Sequence, residues 1–126
     1  MGLLYEELSY SLRGMFFKIY NELGPGFKED IYIRALIALL DENKIPYERE
    51  KQFKIEFKNT YIGTTQIDLV VDNKIIIEAK ATNINNSVFE KQILSYLKST
   101  GLLLGFLVNF GTNKLYIKRY ANGKQK

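Results

Sequence analysis

The sequence predicts an α/β fold (of the α+β type) in which a mixed β-sheet is flanked by helices. Two N-terminal segments carry apolar residues at helical spacing, and three segments with strand patterns follow them. A third helical segment then separates those strands from two more. The predicted order is ααβββαββ, and its strand-helix-strand unit implies a central sheet of mixed direction with helices packed on it.

The first helix has a clear apolar face and a clear end. Its apolar residues recur at three- and four-residue spacing: Leu8, Leu12, Met15, Phe16, Ile19 and Leu23. Gly24-Pro25-Gly26 should terminate it. A second helix is expected over about 28–43, with Glu29 and Asp30 in the first turn, where the helix dipole favours acids. Its expected inner face consists of Ile31, Tyr32, Ala35, Leu36 and Leu39.

The remaining elements follow from alternating and continuous apolar runs. Strands are expected at 53–58, 61–71, 74–80, 102–110 and 115–120, and a helix at 87–99 that Gly101 ends. Asn59-Thr60 is the expected first turn and Asp72-Asn73 the core of the second. The continuous run 75–77 predicts a strand covered on both faces, and the alternating last strand predicts a sheet edge.

Composition narrows the possible chemistry. The 126 residues suit one domain spanning 1–126, and the chain has no cysteine and no histidine. Disulfides, thiolate zinc sites and histidine-based catalysis are therefore excluded. No apolar run is long enough for a membrane span, and the N-terminus does not resemble a signal peptide, so we expect a cytoplasmic protein without membrane contact.

The net charge of +4 is concentrated at the C-terminus. Four basic residues account for it, namely Lys118, Arg119, Lys124 and Lys126, and the rest of the chain has 14 basic and 14 acidic residues. The short basic tail at 121–126 and the neighbouring Lys118 and Arg119 are candidates for contact with phosphates. A merely solvated chain end explains the same pattern.

Two Glu-x-Lys triplets place a carboxylate and an ammonium two residues apart, on one face of a strand. Glu56 and Lys58 belong to a strand with one wet face, so we interpret them as solvated. Glu78 and Lys80 end a strand that is apolar on both faces, where such groups are costly to bury unless they are paired or bound. A structural ion pair and a chemical site both remain open for them.

Asp68 favours the chemical site. A three-residue loop at 72–74 pairs Val71 with Ile75 and sets Asp68 opposite Glu78, whereas a two-residue loop points the two acids to opposite faces. Adjacent carboxylates repel each other unless a cation lies between them.

Oxygen ligands of this kind suit Mg²⁺ or Mn²⁺, held by Asp68, Glu78 and the carbonyl of Ala79. Lys80 would then orient the attacking water or stabilise negative charge at phosphorus.

Several motifs together resemble the GxxExxY family, within the PD-(D/E)xK nuclease superfamily. Gly26 to Tyr32 reads G-F-K-E-D-I-Y, and further segments follow in order: I-I-E-A-K (76–80), Q-I-L-S-Y-L (92–97) and L-V-N-F-G (107–111). The resemblance spans roughly residues 12–120. Two departures are the missing proline before Ile67-Asp68 and Tyr20, where relatives often carry histidine.

The resemblance implies a restriction-endonuclease-like core with a metal site at one end of the sheet. It also implies that Glu29 adds a carboxylate as a catalytic residue and metal ligand, that Gln92 faces the site as a catalytic residue, and that Tyr32 lies near enough to bind substrate. The alternatives are a helix-dipole role for Glu29, a core position for Tyr32 and a surface position for Gln92.

The sequence therefore predicts a Mg²⁺-dependent nuclease that hydrolyses phosphodiester bonds in DNA or RNA. A non-catalytic nucleic-acid-binding module and a hydrolase of a small phosphorylated substrate remain alternatives, because the neutral body lacks a broad basic face. A homodimer is plausible from the sheet edges and the aromatic content.

Overall fold

The computed structural model describes residues 4–122 and confirms a mixed sheet with flanking helices. The elements, in chain order, are α1 (Glu6–Leu23), α2 (Glu29–Glu42), β1 (Tyr47–Phe57), β2 (Thr60–Val71), β3 (Ile75–Lys80), α3 (Ser87–Thr100), β4 (Leu104–Asn109) and β5 (Tyr116–Ala121). The five strands lie in the order β1-β2-β3-β4-β5. The β3–β4 pair is parallel, and each other neighbouring pair is antiparallel. The predicted order of elements is confirmed.

The sheet is covered on both faces. On one face, α1 and α2 enclose a core that includes Phe16 and Phe106, whose ring centroids are 5.9 Å apart. On the other face, α3 packs Ile93 and Leu97 against a smaller cluster. Ile76 belongs to this second cluster, while its two neighbours in the run 75–77 belong to the first. The expected double coverage of β3 is thus confirmed.

The inner face of α2 differs from the predicted one. The buried residues are Tyr32, Ile33, Leu36 and Leu40, whereas Ile31 is 41% exposed. The Tyr32 ring stacks on Phe110 with centroids 4.5 Å apart, which fixes the rotation of the helix. Because consecutive helical residues are about 100° apart, Ile31 is then turned away from the sheet.

The first turn is also displaced by one residue. It consists of Lys58 and Asn59, with φ of 51° and 63°, and β2 already begins at Thr60. Two-residue hairpin loops favour positive φ at both positions because this matches the twist of the flanking strands, and asparagine tolerates that conformation. The alternating pattern at 53–58 did not predict that Lys58 belongs to the turn. It also did not predict the first six residues of β1 as part of the strand.

The β1–β2 hairpin is much longer than β3. β2 has 12 residues, but its pairing with β3 covers the stretch from Leu69 to Val71. The part of β2 before Leu69 therefore lies beside β1 alone, and a gap opens between β2 and the end of β3. No helix within residues 4–122 is both long and apolar enough to cross a bilayer.

The predicted basic tail begins later than expected. Ala121 is the last residue of β5, and the Asn122 side chain donates to the carbonyls of Leu97 and Leu102 at 3.2 and 3.3 Å. The first two residues of 121–126 therefore belong to the fold. Lys124 and Lys126 lie outside the described residues.

Candidate metal centre

The turn between β2 and β3 decides whether the two central acids share a face. Val71 pairs with Ile75, so the loop is the three-residue one, 72–74, as predicted. The pairing ends at Leu69 and Ile77, so Asp68 and Glu78 are the first residues beyond it on their strands. The two acids therefore lie where β2 leaves β3, close enough for the charge of Asp68 to raise the pKa of Glu78.

The Glu78 carboxylate is buried and forms an ion pair with the Lys80 ammonium, which other side chains also contact. Glu78 is 4% exposed, and its Oε2 lies 3.1 Å from Lys80 Nζ. The same ammonium donates to Gln92 Oε1 at 3.0 Å and lies 4.8 Å from the centroid of the Phe89 ring. Three groups thus hold Lys80 in one position, and two of them belong to α3.

Helix α3 brings Gln92 to the site. The Asn86 side chain caps the helix by accepting from Val88 N at 2.9 Å, which fixes where its first turn begins. One turn later, Gln92 Nε2 donates to the Tyr96 hydroxyl at 2.8 Å while its carbonyl accepts from Lys80. Tyr96 was not predicted as a site residue, and its i+4 spacing from Gln92 was the signal that could have assigned it to the site.

The electrostatics show several acids facing one lysine. Burial raises the pKa of Glu78 above its ordinary value, the Lys80 ammonium opposes this shift, and the negative charges of Asp68 and Glu29 add to it. Burial likewise raises the pKa of Glu29, opposed by Lys80 and reinforced by Asp68. The pKa of Tyr96 is raised, first by burial and then by the Glu78 charge. A second cation at this point would relieve the repulsion.

Glu29 and Asp68 line an open cleft of about 230 Å³ beside the buried pair. Four further residues border the cleft, and none of them was predicted from the sequence as a site residue: Asp30, Ile33, Arg49 and Glu50. Asp30 is engaged by both Arg34, at 2.6 Å, and Arg49. The β1–β2 ladder skips the pair between Glu50 and Asp68, and Glu50 has a φ of 53°. The sheet is therefore interrupted beside Asp68.

The backbone of Ala79 faces the same gap. Lys80 O accepts from Phe110 N on the β4 side at 2.8 Å. Carbonyl directions alternate along a strand, so Ala79 O is directed toward the β2 side, beyond the last β2–β3 pair. A main-chain oxygen thus accompanies the two acids there.

The ligands fit a hard cation that keeps part of its water shell. Within residues 4–122, no three His, Cys, Asp or Glu side chains lie close enough to hold a metal ion by themselves. Glu29, Asp68 and Glu78 consequently do not form a ready three-carboxylate cage, although all three interact electrostatically. Mg²⁺ is commonly bound through one or two carboxylates with several waters. Asp68, Glu78 and the Ala79 carbonyl match that requirement.

A buried asparagine fixes the loop that follows Lys80. Asn109 is 0% exposed, and its Oδ1 accepts from the backbone N–H of Thr82 at 3.2 Å and of Gly111 at 2.9 Å. Its amide nitrogen donates to Ile84 O and Asn85 Oδ1 at 3.3 and 3.0 Å. From the sequence, Asn109 was recognised only as part of the 107–111 motif. A lone asparagine in an otherwise apolar run was the available signal.

Three sequence-predicted substrate residues are not brought to the cleft. Tyr32 is 1% exposed and donates to Gly24 O at 2.6 Å, so it supports the turn before α2 and takes the core position. Lys118 lies 4.0 Å from Glu90, and its ammonium is 5.4 Å from the Tyr120 ring centroid. Arg119 pairs with Phe106 on the α1 face, opposite the face of Glu78. Burial and strand alternation explain these positions, and a part for the three residues in substrate binding stays a prediction.

Comparison with known proteins places this geometry in a family. The fold is similar to the crystal structure of SSO0001, with a TM-score of 0.57 and 22% sequence identity. The similarity covers 74% of this chain and 50% of that one, so this chain spans half of its length. A search of curated protein sequences gives no match. A family model described as the PD-(D/E)XK nuclease superfamily matches residues 6–120, and the chain belongs to that superfamily.

Proposed function

We propose that this protein is a metal-dependent nuclease that hydrolyses phosphodiester bonds in DNA or RNA, and that it belongs to the GxxExxY family. The observation that carries the proposal is the buried Glu78–Lys80 pair, which faces Asp68 and Glu29 and is backed by Gln92. In a purely structural ion pair, one carboxylate would balance the charge of one lysine. Here several acids converge on one ammonium, which favours a bound cation as the missing charge.

Support for the GxxExxY assignment comes from the start of α2. The stretch from Gly26 to Tyr32 forms the turn and the first residues of the helix, and Gly26 has a φ of 119°. The Tyr32 hydroxyl accepts from Phe27 N at 3.2 Å and donates to Gly24 O. Tyr32 therefore holds the turn in place, so that Glu29, three residues before it, reaches the cleft.

Asp68, Glu78 and the Ala79 carbonyl are the residues that would hold Mg²⁺ or Mn²⁺. The ion would polarise a phosphate oxygen and lower the pKa of a bound water. Glu29 borders the open side of the cleft, where it would orient water or complete the coordination through water. Burial of Glu78 keeps its carboxylate in a medium where an electrostatic contact is stronger than at the surface.

Lys80 and its partners supply the remaining chemistry. The Lys80 ammonium is a fixed donor that would stabilise the charge developing on the phosphate or orient the attacking water. Gln92 holds that ammonium through its carbonyl and is itself oriented by the Tyr96 hydroxyl. Gln92 and Tyr96 therefore act in the proposal by positioning Lys80.

Nucleic acid is the proposed partner, and the superfamily supports it. The body of the chain carries no excess charge, so affinity for a polymer would depend on local contacts at the cleft and on any further binding surface. We propose that residues 1–126 act as one domain. A homodimer and a cytoplasmic location stay predictions.

The test is a cleavage panel of single- and double-stranded DNA and RNA with Mg²⁺, Mn²⁺ or EDTA. Glu78→Gln keeps the shape of the side chain and removes its charge, and Glu56→Gln makes the same change at an exposed position. We expect metal-dependent cleavage that falls at least about 100-fold in Glu78→Gln, since several kcal/mol of transition-state stabilisation are lost. Glu56→Gln should cleave like the wild type.

Other outcomes separate the alternatives. Absence of cleavage on every substrate, together with salt-sensitive oligonucleotide binding, contradicts the nuclease and favours the binding module. Hydrolysis of small phosphodiesters alone, with weak dependence on salt, favours a small phosphorylated substrate. Equal cleavage by Glu78→Gln and the wild type removes Glu78 from the mechanism.

A further inference from the structure

Two arginines from different elements share one carboxylate beside the metal centre. Arg34 Nε on α2 donates to Asp30 Oδ2 at 2.6 Å, and Arg49 Nη2 on β1 donates to Asp30 Oδ1. A guanidinium stays protonated in proteins. Two guanidinium groups beside one carboxylate therefore leave an excess of positive charge at this point.

The two guanidinium groups differ in their position. Arg49 lines the cleft that also contains Glu29 and Asp68, whereas Arg34 does not border it. Arg49 pairs with Leu69 in the β1–β2 ladder, and directly paired residues share a face, so Arg49 lies on the α2 side of the sheet. The Arg49 side chain is 31% exposed and that of Arg34 is 66% exposed. Arg49 is thus half-buried at the cleft, while Arg34 extends into solvent.

Arg49 retains hydrogen-bond donors that a ligand can reach. A guanidinium has five N–H donors, and within residues 4–122 the Arg49 side chain donates to Asp30 through Nη2. Its other nitrogen atoms are not among the buried polar atoms that lack a partner, so they are accessible to solvent. Asp30 holds the guanidinium from one side, which reduces the entropy that a further contact would cost.

The remaining side chains of the cleft repel an anionic substrate. Besides Asp30, which is already paired, three carboxylates line the cleft: Glu29, Glu50 and Asp68. A metal ion at Asp68 would offset part of this charge. Arg49 is the cationic side chain among the residues that line the cleft. A phosphate on the α2 side would therefore be held where the Arg49 guanidinium faces the cleft.

We propose that Arg49 binds the backbone phosphate next to the scissile phosphate of a nucleic-acid substrate. The inference rests on the proposed function, because it takes the ion at Asp68 and Glu78 as the ligand of the scissile phosphate. Guanidinium groups form paired hydrogen bonds to phosphate oxygens. Lys80 is held by Gln92 on the α3 side, whereas Arg49 lies on the α2 side, which suits two successive phosphates better than one. The substrate is then a polynucleotide.

The first experiment measures binding of a labelled oligonucleotide by fluorescence anisotropy at several salt concentrations. The titrations are run in EDTA and in Ca²⁺, a cation that also takes oxygen ligands. Arg49→Gln should lower the affinity at least about tenfold, because a charged hydrogen bond is lost. It should also reduce the slope of log K against log salt by about 0.7 for a single strand and about 0.9 for a duplex, the effect of one phosphate contact.

Arg34→Gln is the matched control, because it removes the same charge from the same carboxylate outside the cleft. It should bind with the affinity and the salt slope of the wild type. Arg49→Lys keeps the charge but not the paired hydrogen bonds, so its affinity should be intermediate. Thermal unfolding verifies the fold of each variant, and Arg49→Lys with Arg34→Lys makes the same comparison if Arg49→Gln does not fold. Equal effects at both positions, or no oligonucleotide binding by the wild type, would overturn the inference.

The second experiment compares cleavage of an oligonucleotide with hydrolysis of bis(p-nitrophenyl) phosphate in Mg²⁺. This small ester has one phosphate and cannot occupy a neighbouring phosphate site. Arg49→Gln should raise the KM for the oligonucleotide at least about tenfold and leave the KM for the ester unchanged. An equal change for both substrates would contradict a neighbouring phosphate.

The two proposals can fail separately. Oligonucleotide binding that depends on Arg49, without cleavage of either substrate, contradicts the nuclease and supports the phosphate contact. Metal-dependent cleavage of the oligonucleotide with the same KM in Arg49→Gln and Arg34→Gln supports the nuclease and overturns the role of Arg49.

Discussion

The ends of β1 and β3 carry the same Glu-x-Lys triplet in two different environments. Glu56 lies at the exposed end of β1, and Lys58 belongs to the turn that follows, with its ammonium 5.7 Å from the centroid of the Phe57 ring. Glu78 and Lys80 lie at the end of β3, where their side chains are 5% and 14% exposed and form an ion pair at 3.1 Å. The motif alone therefore does not distinguish a solvent-exposed pair of side chains from a candidate metal site.

The difference arises from the neighbours. β1 is an edge strand, so its end meets solvent and a two-residue turn. β3 is central, with β4 alongside and α3 above, and the gap beside β2 is filled by acids instead of apolar side chains. Low polarity and converging like charges are what make the buried triplet suited to a cation.

The largest expected effect comes from removing the charge of each lysine in turn. Lys80→Met should lower metal-dependent cleavage by about 10²–10³-fold, the usual effect of losing one fixed donor at a transition state. Lys58→Met should leave cleavage unchanged because Lys58 is exposed and distant from Glu78. Rates are compared at saturating Mg²⁺, with circular dichroism to verify the fold. Equal losses in both variants would contradict the distinction between the triplets.

A smaller effect is expected from the residue that positions Lys80. Gln92→Met keeps the length of the side chain but removes the acceptor for Lys80 Nζ and the donor to Tyr96, so we expect about a tenfold loss of cleavage. The shift should be in kcat more than in the affinity for Mg²⁺. Gln52→Met, at an exposed position in β1, is the control. An unchanged kcat in Gln92→Met would show that Lys80 does not need this partner.

The smallest effect concerns stability and pH. The pKa of Glu78 in the folded protein lies above its ordinary value of 4.5, so the folded state holds this proton more tightly than the unfolded state does. The resulting stabilisation is present below pH 4.5 and is lost as the pH rises through the folded-state pKa. In EDTA, the stability of Glu78→Gln relative to the wild type should therefore increase over that range.

Urea unfolding at a series of pH values measures this difference, and Glu56→Gln supplies the baseline for loss of an exposed carboxylate. Added Mg²⁺ should reduce the gain of Glu78→Gln, because a cation favours the ionised carboxylate. If the stability of Glu78→Gln relative to the wild type does not change with pH, folding does not raise the pKa of Glu78.

The sequence predicted the elements that depend on local pattern and the turn that sets the register of β2 and β3. The apolar run 75–77 and the loop at 72–74 were sufficient to predict the pairing of Val71 with Ile75, which brings Asp68 and Glu78 to the same end of the two strands. The break at Gly24-Pro25 was predictable for the same local reason.

The features that the sequence pattern did not predict depend on packing between residues that are distant in sequence. The rotation of α2 depends on Tyr32 stacking against Phe110, which is distant in sequence. The hydrogen bonds of Asn109 to the loop after Lys80, and the position of Arg119 on the α1 face, likewise depend on which strands become neighbours. Residue spacing alone does not contain these contacts.

The central claim is that the buried triplet, and not the exposed one, belongs to a cation site. Isothermal titration calorimetry with Mg²⁺ and with Mn²⁺ on the wild type, Glu78→Gln and Glu56→Gln tests it directly. We predict one site in the wild type and in Glu56→Gln, and an affinity at least about tenfold lower in Glu78→Gln. Equal affinity in all three proteins, or no binding to the wild type, would contradict the account.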